Sequence, residues 1–250
     1  MRKSYRELTE EIKTDGERLK LIAALGSSDD LAYHYALICE DWAAGGKLLL
    51  ENSFDRHGEA GIVFLLERLR AFGAASKTGT SSEENAAAGT ATDTAYLAAK
   101  ILSQLRHRDF YAARAKELAA LLTARWEISD IALRRKQIIA LGWIGSESEI
   151  NLLIDSMQSD SDALCRAWAA AALMQLSFHG VDTSFLRERT KTAFAAAIQK
   201  EGDLNAAGIL IEAAQTLFGK KWISAAAAEA AESESIEKAR KSALRFLDKA

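Results

Sequence analysis

His34 and Asp41 are the residues of this chain whose types and spacing most readily suggest acid–base chemistry or metal binding. They stand seven residues apart, so on an α-helix they share one face, two turns from each other. Glu40, beside Asp41, adds a second carboxylate. A protein metal site normally needs three or four ligands. The spacing therefore favours a structural histidine over a catalytic or metal-binding pair, and we expect no metal.

Sequence motifs that mark common catalytic sites are missing from this chain. GxGxxG, GxxxxGK[ST], HExxH and GxSxG do not occur. The tripeptide His57-Gly58-Glu59 falls in a predicted turn and matches no catalytic motif. Enzymatic activity has no positive support here, so we expect a non-enzymatic protein without a cofactor.

The stretch from Ile131 to Leu176 contains three amphipathic segments separated by short polar breaks. In the first segment apolar residues recur at intervals of three to five, which is the period of a helix with one buried stripe. Arg134 stands seven residues before Leu141, and Arg166 stands seven before Leu173. This pattern, an Arg followed seven residues later by a Leu, occurs twice, about 32 residues apart. It predicts a helical repeat array.

These repeats resemble the HEAT repeat family, in particular its phycobilisome-lyase-like bacterial variety. The matching residues are Arg134, Ala140, Leu141, Gly142, Ile144 and Gly145 in one unit, and Asp160, Arg166, Ala169, Ala170, Ala172, Leu173 and Leu176 in the next. The resemblance implies an all-α solenoid and a structural role for Arg166, with Asp160 in the preceding turn accepting its hydrogen bonds. The unit at Arg134 departs from the pattern, because position 128 is Ile.

Cys165 could be a reactive thiol, because the adjacent Arg166 could lower its pKa. The resembling family places a small apolar residue at this position, so core packing is the favoured interpretation. Cys39 and Cys165 are far apart and form no CxxC pattern, which indicates free thiols in a reducing compartment.

Composition extends the helical prediction to the whole chain. The 250 residues include no proline, which suits a continuous succession of helices because proline breaks helix interiors. We predict about six antiparallel helical hairpins in a single domain spanning residues 1–250. The segment 75–93 is small, polar and Gly-dotted, and it is predicted to be a flexible internal loop.

Charge and hydropathy narrow the classes of partner. The chain has 32 basic and 35 acidic residues and a formal net charge of −3, whereas nucleic-acid binders usually carry a basic excess. The N-terminus is charged and lacks a signal-peptide core, and no apolar run approaches the length of a membrane span. We therefore expect a cytoplasmic protein that does not bind a membrane. The charge balance disfavours nucleic acid as its partner.

Two tryptophans indicate a possible binding surface. When the Arg of each repeat is numbered zero, Trp143 is at position nine and Trp168 at position two, so both lie on one helix face. Lys136 and Gln175 occupy the matching positions on the neighbouring helices. Because protein interface hot spots are rich in Trp, these four residues are candidate partner-binding residues. The alternative is that another helix or the long loop covers both rings.

The sequence as a whole favours a non-enzymatic protein-interaction module, such as an adaptor, an assembly factor or an inhibitor. A bacterial toxin-immunity protein is one specific form of the last. One alternative is a nucleic-acid-binding protein of the DNA-glycosylase type, which would use the basic clusters Arg106–Arg108 and Arg134–Lys136. A second alternative, implied by the resembling lyase family, is a bilin lyase or lyase subunit.

Overall fold

The computed structural model describes residues 2–75, 115–123 and 131–248, and in these ranges every regular element is a helix. The all-α prediction is confirmed for this part of the chain. Contacts divide the chain into two compact units, Met1–Arg114 and Ala115–Ala250. That the whole chain forms one domain stays a prediction. The predicted loop at 75–93 lies outside the described residues except for Ala75, which ends a helix, and so does the cluster Arg106–Arg108.

The described residues of the first unit, 2–75, contain four α-helices and a 3₁₀ helix. They are α1 (Tyr5–Glu11), α2 (Asp15–Gly26), α3 (Leu31–Ala43), the 3₁₀ helix Leu50–His57 and α4 (Gly58–Ala75). Ser4 and Thr14 begin α1 and α2 with capping boxes, in which a Glu three residues later closes the reciprocal hydrogen bond. The helix starts in this unit are therefore encoded by local residue pairs.

The 3₁₀ helix lies at the centre of the first unit, in contact with α2, α3 and α4. Phe54 is fully buried there. On α2, a Cβ atom added to Gly26 would lie 2.8 Å from the main-chain oxygen of Ser53. Ser53 Oγ also donates to the carbonyl of Ile22 at 2.6 Å. The missing side chain of Gly26 therefore permits the close approach of α2 to the 3₁₀ helix.

The described residues of the second unit, 115–123 and 131–248, include antiparallel helical hairpins. Its helices are α5 (Ala115–Thr123), α6 (Ile131–Ile144), α7 (Ile150–Ser159), α8 (Ala163–Phe178), α9 (Thr183–Lys200), α10 (Leu204–Leu217), α11 (Ala225–Glu229) and α12 (Ser233–Leu247), with a 3₁₀ turn at Glu147–Glu149. Tight turns join α7 to α8 and α9 to α10. Asp162 and Asp203 cap the second helix of each hairpin by accepting from a main-chain N–H three residues on.

These hairpins stack in two layers. Helices α6, α8 and α10 pack in succession to form one layer, called here the inner layer, while α7, α9 and α12 form the other. Neighbouring inner helices run parallel, because the start of α6 meets the start of α8 and the end meets the end. Ile131 lies beside Cys165, and Gly145 lies beside Leu176. This arrangement is the predicted HEAT-like α-solenoid.

Main-chain contact sets the spacing of the inner layer. A Cβ atom added to Gly142 of α6 would lie only 2.7 Å from the Cα atom of Ala172 on α8. A similar close approach joins the inner layer to α11, where a Cβ atom added to Gly208 of α10 would lie 3.0 Å from the carbonyl oxygen of Ala228. No helix of the described ranges is both long and apolar enough to cross a membrane.

Candidate functional site

Side chains at equivalent positions of the inner helices form two rows across this layer. Arg134 and Arg166 mark equivalent positions 32 residues apart, and the capping residues Asp162 and Asp203 mark equivalent positions 41 residues apart. By these offsets two rows cross α6, α8 and α10. The rows are Lys136, Trp168 and Ile209, and Trp143, Gln175 and Thr216.

None of the six side chains in these rows is buried, whereas core leucines on the same helices are. Trp143, Trp168, Lys136 and Gln175 are each half-buried, and so is Ile209. In contrast, Leu141, Leu173 and Leu210 point into the core. The four residues singled out in the sequence therefore share one partly accessible face. Their role in binding a partner stays a prediction.

Sequence reasoning missed the third helix of this face. Ile209, Glu212 and Thr216 of α10 continue the rows begun on α6 and α8, with Glu212 also half-buried. An Arg identifies the first two repeats, but Ala207 occupies the equivalent position in α10. The capping Asp203 was the available signal, because it repeats Asp162 at the start of the next inner helix.

Arginine–carboxylate pairs join successive repeats along the edge where the tight turns lie. Arg134 donates to both carboxylate oxygens of Asp160 at 2.8 Å, and Arg135 donates to Asp162 at 2.8 and 2.9 Å. Arg166 donates to both oxygens of Glu201 at 2.8 Å. Each arginine thus reaches the turn of the following repeat in a bidentate geometry.

The predicted link between Arg166 and Asp160 is present in a different form. Arg166 Nη1 donates to the main-chain oxygen of Asp160 at 2.8 Å, while the Asp160 carboxylate binds Arg134 of the preceding repeat. The structural role of Arg166 is supported, but its charged partner is Glu201. The family-like pattern describes one repeat, whereas the ion pairs depend on how two repeats stack.

The arginines along this edge stabilise the ionised forms of the carboxylates that they bind. Hydrogen bonds from Arg135 hold the pKa of Asp162 well below its usual range. Burial would raise the pKa of Glu201, but the hydrogen bonds and charge of Arg166, together with hydrogen bonds from the main chain of Asp203 and Gly202, outweigh burial and lower that pKa. Both carboxylates are therefore ionised at neutral pH, and the arginines neutralise them. The edge is a structural connection with its charges already paired.

Cys165 is not activated by the adjacent Arg166. The thiol is buried, and burial together with the nearby Asp162 raises its pKa to about 11. A thiol with this pKa is almost entirely protonated at neutral pH and is a poor nucleophile. Its Sγ lies 4.0 Å from the main-chain oxygen of Ile131 at the start of α6. Core packing between α6 and α8 is thus its role.

In the first unit, His34 and Asp41 both bind the main chain of Leu50. Asp41 Oδ2 accepts from the N–H of Leu50 at 3.5 Å, and His34 Nε2 donates to the Leu50 carbonyl at 3.0 Å. Asp41 Oδ1 also accepts from Leu48 N–H at 2.9 Å and from the Tyr5 hydroxyl at 2.8 Å. Their seven-residue spacing serves to bind the segment before the 3₁₀ helix.

His34 is a neutral imidazole with both ring nitrogens engaged. Because Nε2 donates to a carbonyl, Nδ1 must accept, and His57 Nε2 donates to it at 2.8 Å. Desolvation by burial lowers the pKa of His34 to about 4. Among the described residues no group of three or more side chains could hold a metal ion. In this structure His34 and Asp41 bind the main chain around Leu50, which is a structural role.

Comparison with known families agrees with this architecture. Residues 85–174 match a family model described as HEAT repeats, a segment that contains α6, α7 and most of α8. Neither the curated proteins nor the solved structures gave a match.

Proposed function

We propose that this chain, a HEAT-repeat protein over residues 85–174, is a non-enzymatic interaction module that holds a protein partner on the face of α6, α8 and α10. Stacked helical repeats present extended surfaces of this kind, and such surfaces generally serve protein binding. The partner would lie across the rows defined above.

The observation that carries the proposal is the placement of Trp143 and Trp168. The rings belong to adjacent parallel helices, and both are partly accessible. A half-buried tryptophan is held in place by its neighbours and still offers a large apolar surface, which limits the entropy lost on binding. Such residues dominate the affinity of many protein interfaces.

The polar residues of the same face would select among partners. Lys136 lies in the row of Trp168 on α6, Gln175 lies in the row of Trp143 on α8, and Glu212 lies between these rows on α10. A face with one cation, one anion and two indoles fits an apolar protein surface bearing charges of both signs. It lacks the basic excess that nucleic acid requires.

Adaptor, assembly factor and inhibitor all fall within this proposal. A bacterial toxin-immunity protein would be a specific inhibitor form. A cytoplasmic location is supported by the two cysteines, which are both free thiols in the described residues.

The experiment is comparative capture of partners from the source cells by the wild type and by tryptophan variants, quantified by mass spectrometry. Trp143→Ala and Trp168→Ala should each reduce recovery of the partner, while thermal unfolding stays close to that of the wild type. Truncation of a hot-spot ring typically costs about 2 kcal/mol of binding free energy or more.

Trp222→Ala is the matched control. That half-buried ring packs on Phe246 at 5.8 Å, and its main-chain N–H donates to Gln215 in the same unit. Its loss should lower the melting temperature and leave partner recovery per folded molecule unchanged. Equal recovery by Trp143→Ala, Trp168→Ala and the wild type would contradict the proposed face. Early melting of both variants would identify the rings as core.

A further inference from the structure

Helices α7 and α9 border a cavity near their N-terminal ends. Its volume is about 480 Å³, which is within the range of pockets that bind small organic ligands. The cavity is lined by Glu147, Ser148, Ile150, Asn151, Phe185 and Arg189. None of these residues belongs to the rows that cross α6, α8 and α10, so the cavity is separate from the proposed partner-binding face.

Arg189 is held at this cavity and keeps its positive charge. Its Nη2 atom donates to Oδ1 of Asn151 at 2.8 Å, which links α9 to α7. Arg134 and Arg166 of the same unit bind carboxylates. The carboxamide of Asn151 is neutral, so it fixes the guanidinium group of Arg189 without compensating its charge. Nδ2 of Asn151 and the other N–H groups of Arg189 are further donors, and together they suit a carboxylate.

Phe185 supplies the aromatic wall of the cavity. It stands four residues before Arg189, so the ring and the guanidinium group lie on one face of α9, one turn apart. The ring is 41% exposed, while the next residue, Leu186, is fully buried. Leu186 rather than Phe185 therefore fills the core at this point of α9, and the ring of Phe185 offers an apolar surface to the cavity.

Glu147 adds a carboxylate to the same cavity, from the 3₁₀ turn before α7. The residue is exposed. A ligand that carries only a negative charge would be repelled by this group, whereas a ligand that also carries an N–H donor can bind it. The lining residues therefore select a molecule that combines a carboxylate, a nitrogen donor and an apolar group.

We propose that this cavity binds an apolar amino acid, either free or as the C-terminal residue of a peptide. The α-carboxylate binds Arg189 and Asn151. The nitrogen donates to Glu147, and the apolar side chain packs on Phe185. The two sources share this chemistry and differ at the nitrogen, which is an ammonium group in the free amino acid and a neutral amide in the peptide.

NMR titration of the isotope-labelled full chain with L-phenylalanine and with N-acetyl-L-phenylalanine tests the site. Ligands of this size predict a Kd of about 1 mM. N-acetyl-L-phenylalaninamide lacks the carboxylate and should bind about tenfold more weakly or less. Tighter binding of L-phenylalanine than of its N-acetyl form would identify a free amino acid as the ligand, and the reverse order would identify a peptide C-terminus.

Arg189→Gln should raise the Kd about tenfold or more, because it removes the charged donor. Lys200→Gln is its matched control, since Lys200 is an exposed cation at the other end of α9. Phe185→Ala should raise the Kd about fivefold. Its control is Phe178→Ala, at an exposed position of α8 that does not line the cavity.

Both control variants should leave the Kd unchanged, and the melting temperature of each variant shows that the chain is folded. Failure of both carboxylate ligands to bind at about ten times the expected Kd overturns the proposal. So does equal binding of N-acetyl-L-phenylalaninamide, or a Kd that Arg189→Gln leaves unchanged.

Discussion

The two units of this protein hold their irregular backbone by different means. In the second unit, arginines of one repeat bind carboxylates in the turn of the next, and the arrangement recurs from α6 to α10. In the first unit, the buried His34 and Asp41 hold the segment around Leu50, an arrangement that occurs once within residues 2–75. The second unit thus uses charged pairs that repeat along the stack, whereas the first unit uses a neutral imidazole at one position.

This difference has a physical consequence for where each unit is vulnerable. Stability in a repeat array is a sum of contributions from the repeats and from the contacts between neighbours. An Arg–carboxylate pair between repeats belongs to the second kind, so its loss separates two neighbours. In the first unit, the hydrogen bonds of His34 and Asp41 fix one loop against one helix. Their loss should destabilise this loop rather than the whole chain. It should also change how the free energy of unfolding depends on pH.

The largest effect should follow removal of the pair with the most buried carboxylate. Glu201 is only 2% exposed, so Arg166→Ala leaves a buried carboxylate without its countercharge. We expect the free energy of unfolding to fall by about 4 kcal/mol, the usual cost of breaking a buried ion pair. Urea unfolding followed by tryptophan fluorescence measures this loss.

Arg189→Ala is the matched control for Arg166→Ala, because Arg189 is an exposed arginine of the same unit that donates to Asn151. Its removal should change stability by less than about 0.5 kcal/mol. Equal losses in both variants would mean that the pairs between repeats contribute no more than surface contacts.

An intermediate effect should appear in the first unit as a dependence on pH. The pKa of His34 is lowered to about 4 in the folded chain, from about 6.5 in an unfolded one. Between these values the unfolded chain binds a proton that the folded chain does not. The free energy of unfolding should therefore decrease as pH falls from 6.5 towards 4, by up to about 1.4 kcal/mol per pH unit for this group.

Trp42 is the sole tryptophan of residues 1–114, so its fluorescence can follow the first unit. His34→Gln removes the titrating group and should flatten the slope between pH 6.5 and 5, where few carboxylates titrate. Burial also lowers the pKa of His57, so a smaller slope of the same sign should remain. A wild type of constant stability over this window would contradict the neutral pair.

The smallest effect should be a gain in stability. Leu49 and Ala231 are the non-glycine residues with positive φ in the described ranges, one in each unit. Leu49→Gly and Ala231→Gly should each stabilise the protein by about 1 kcal/mol, because glycine adopts this conformation without a steric cost. Differential scanning calorimetry should show a higher Tm for both. Leu48→Gly, at a buried position, should lower it.

Periodic features of the sequence predicted the periodic part of the structure. Apolar spacing and the repeated Arg pattern located α6, α7 and α8. The sequence also predicts helices over residues 183–200 and 205–218, which closely match α9 and α10. It predicts a further helix over residues 222–231, which is too long, because only Ala225–Glu229 is helical. Its alanines gave helix propensity, while Trp222 and Ile223 bind Gln215 through their main-chain N–H groups.

Contacts that depend on non-repeating geometry could not be predicted. The seven-residue spacing of His34 and Asp41 showed that they share a face, but their common ligand is the main chain of Leu50 in a segment with several positive-φ residues. Likewise, the carboxylate that binds Arg166 lies 35 residues further on, in the next repeat. Helical spacing reports which residues share a face, whereas partners across a stack depend on tertiary packing.

Gly142 gives the face of α6 and α8 a fixed scale. Because the two backbones meet where a Cβ atom would lie 2.7 Å from Ala172, the helices cannot approach further, and no intervening side chain can change rotamer to separate them. The backbone-to-backbone distance of α6 and α8 therefore fixes the separation of the two indole rings. A partner that fits them must match that spacing as it is, and a larger residue at position 142 would change the spacing without touching either ring.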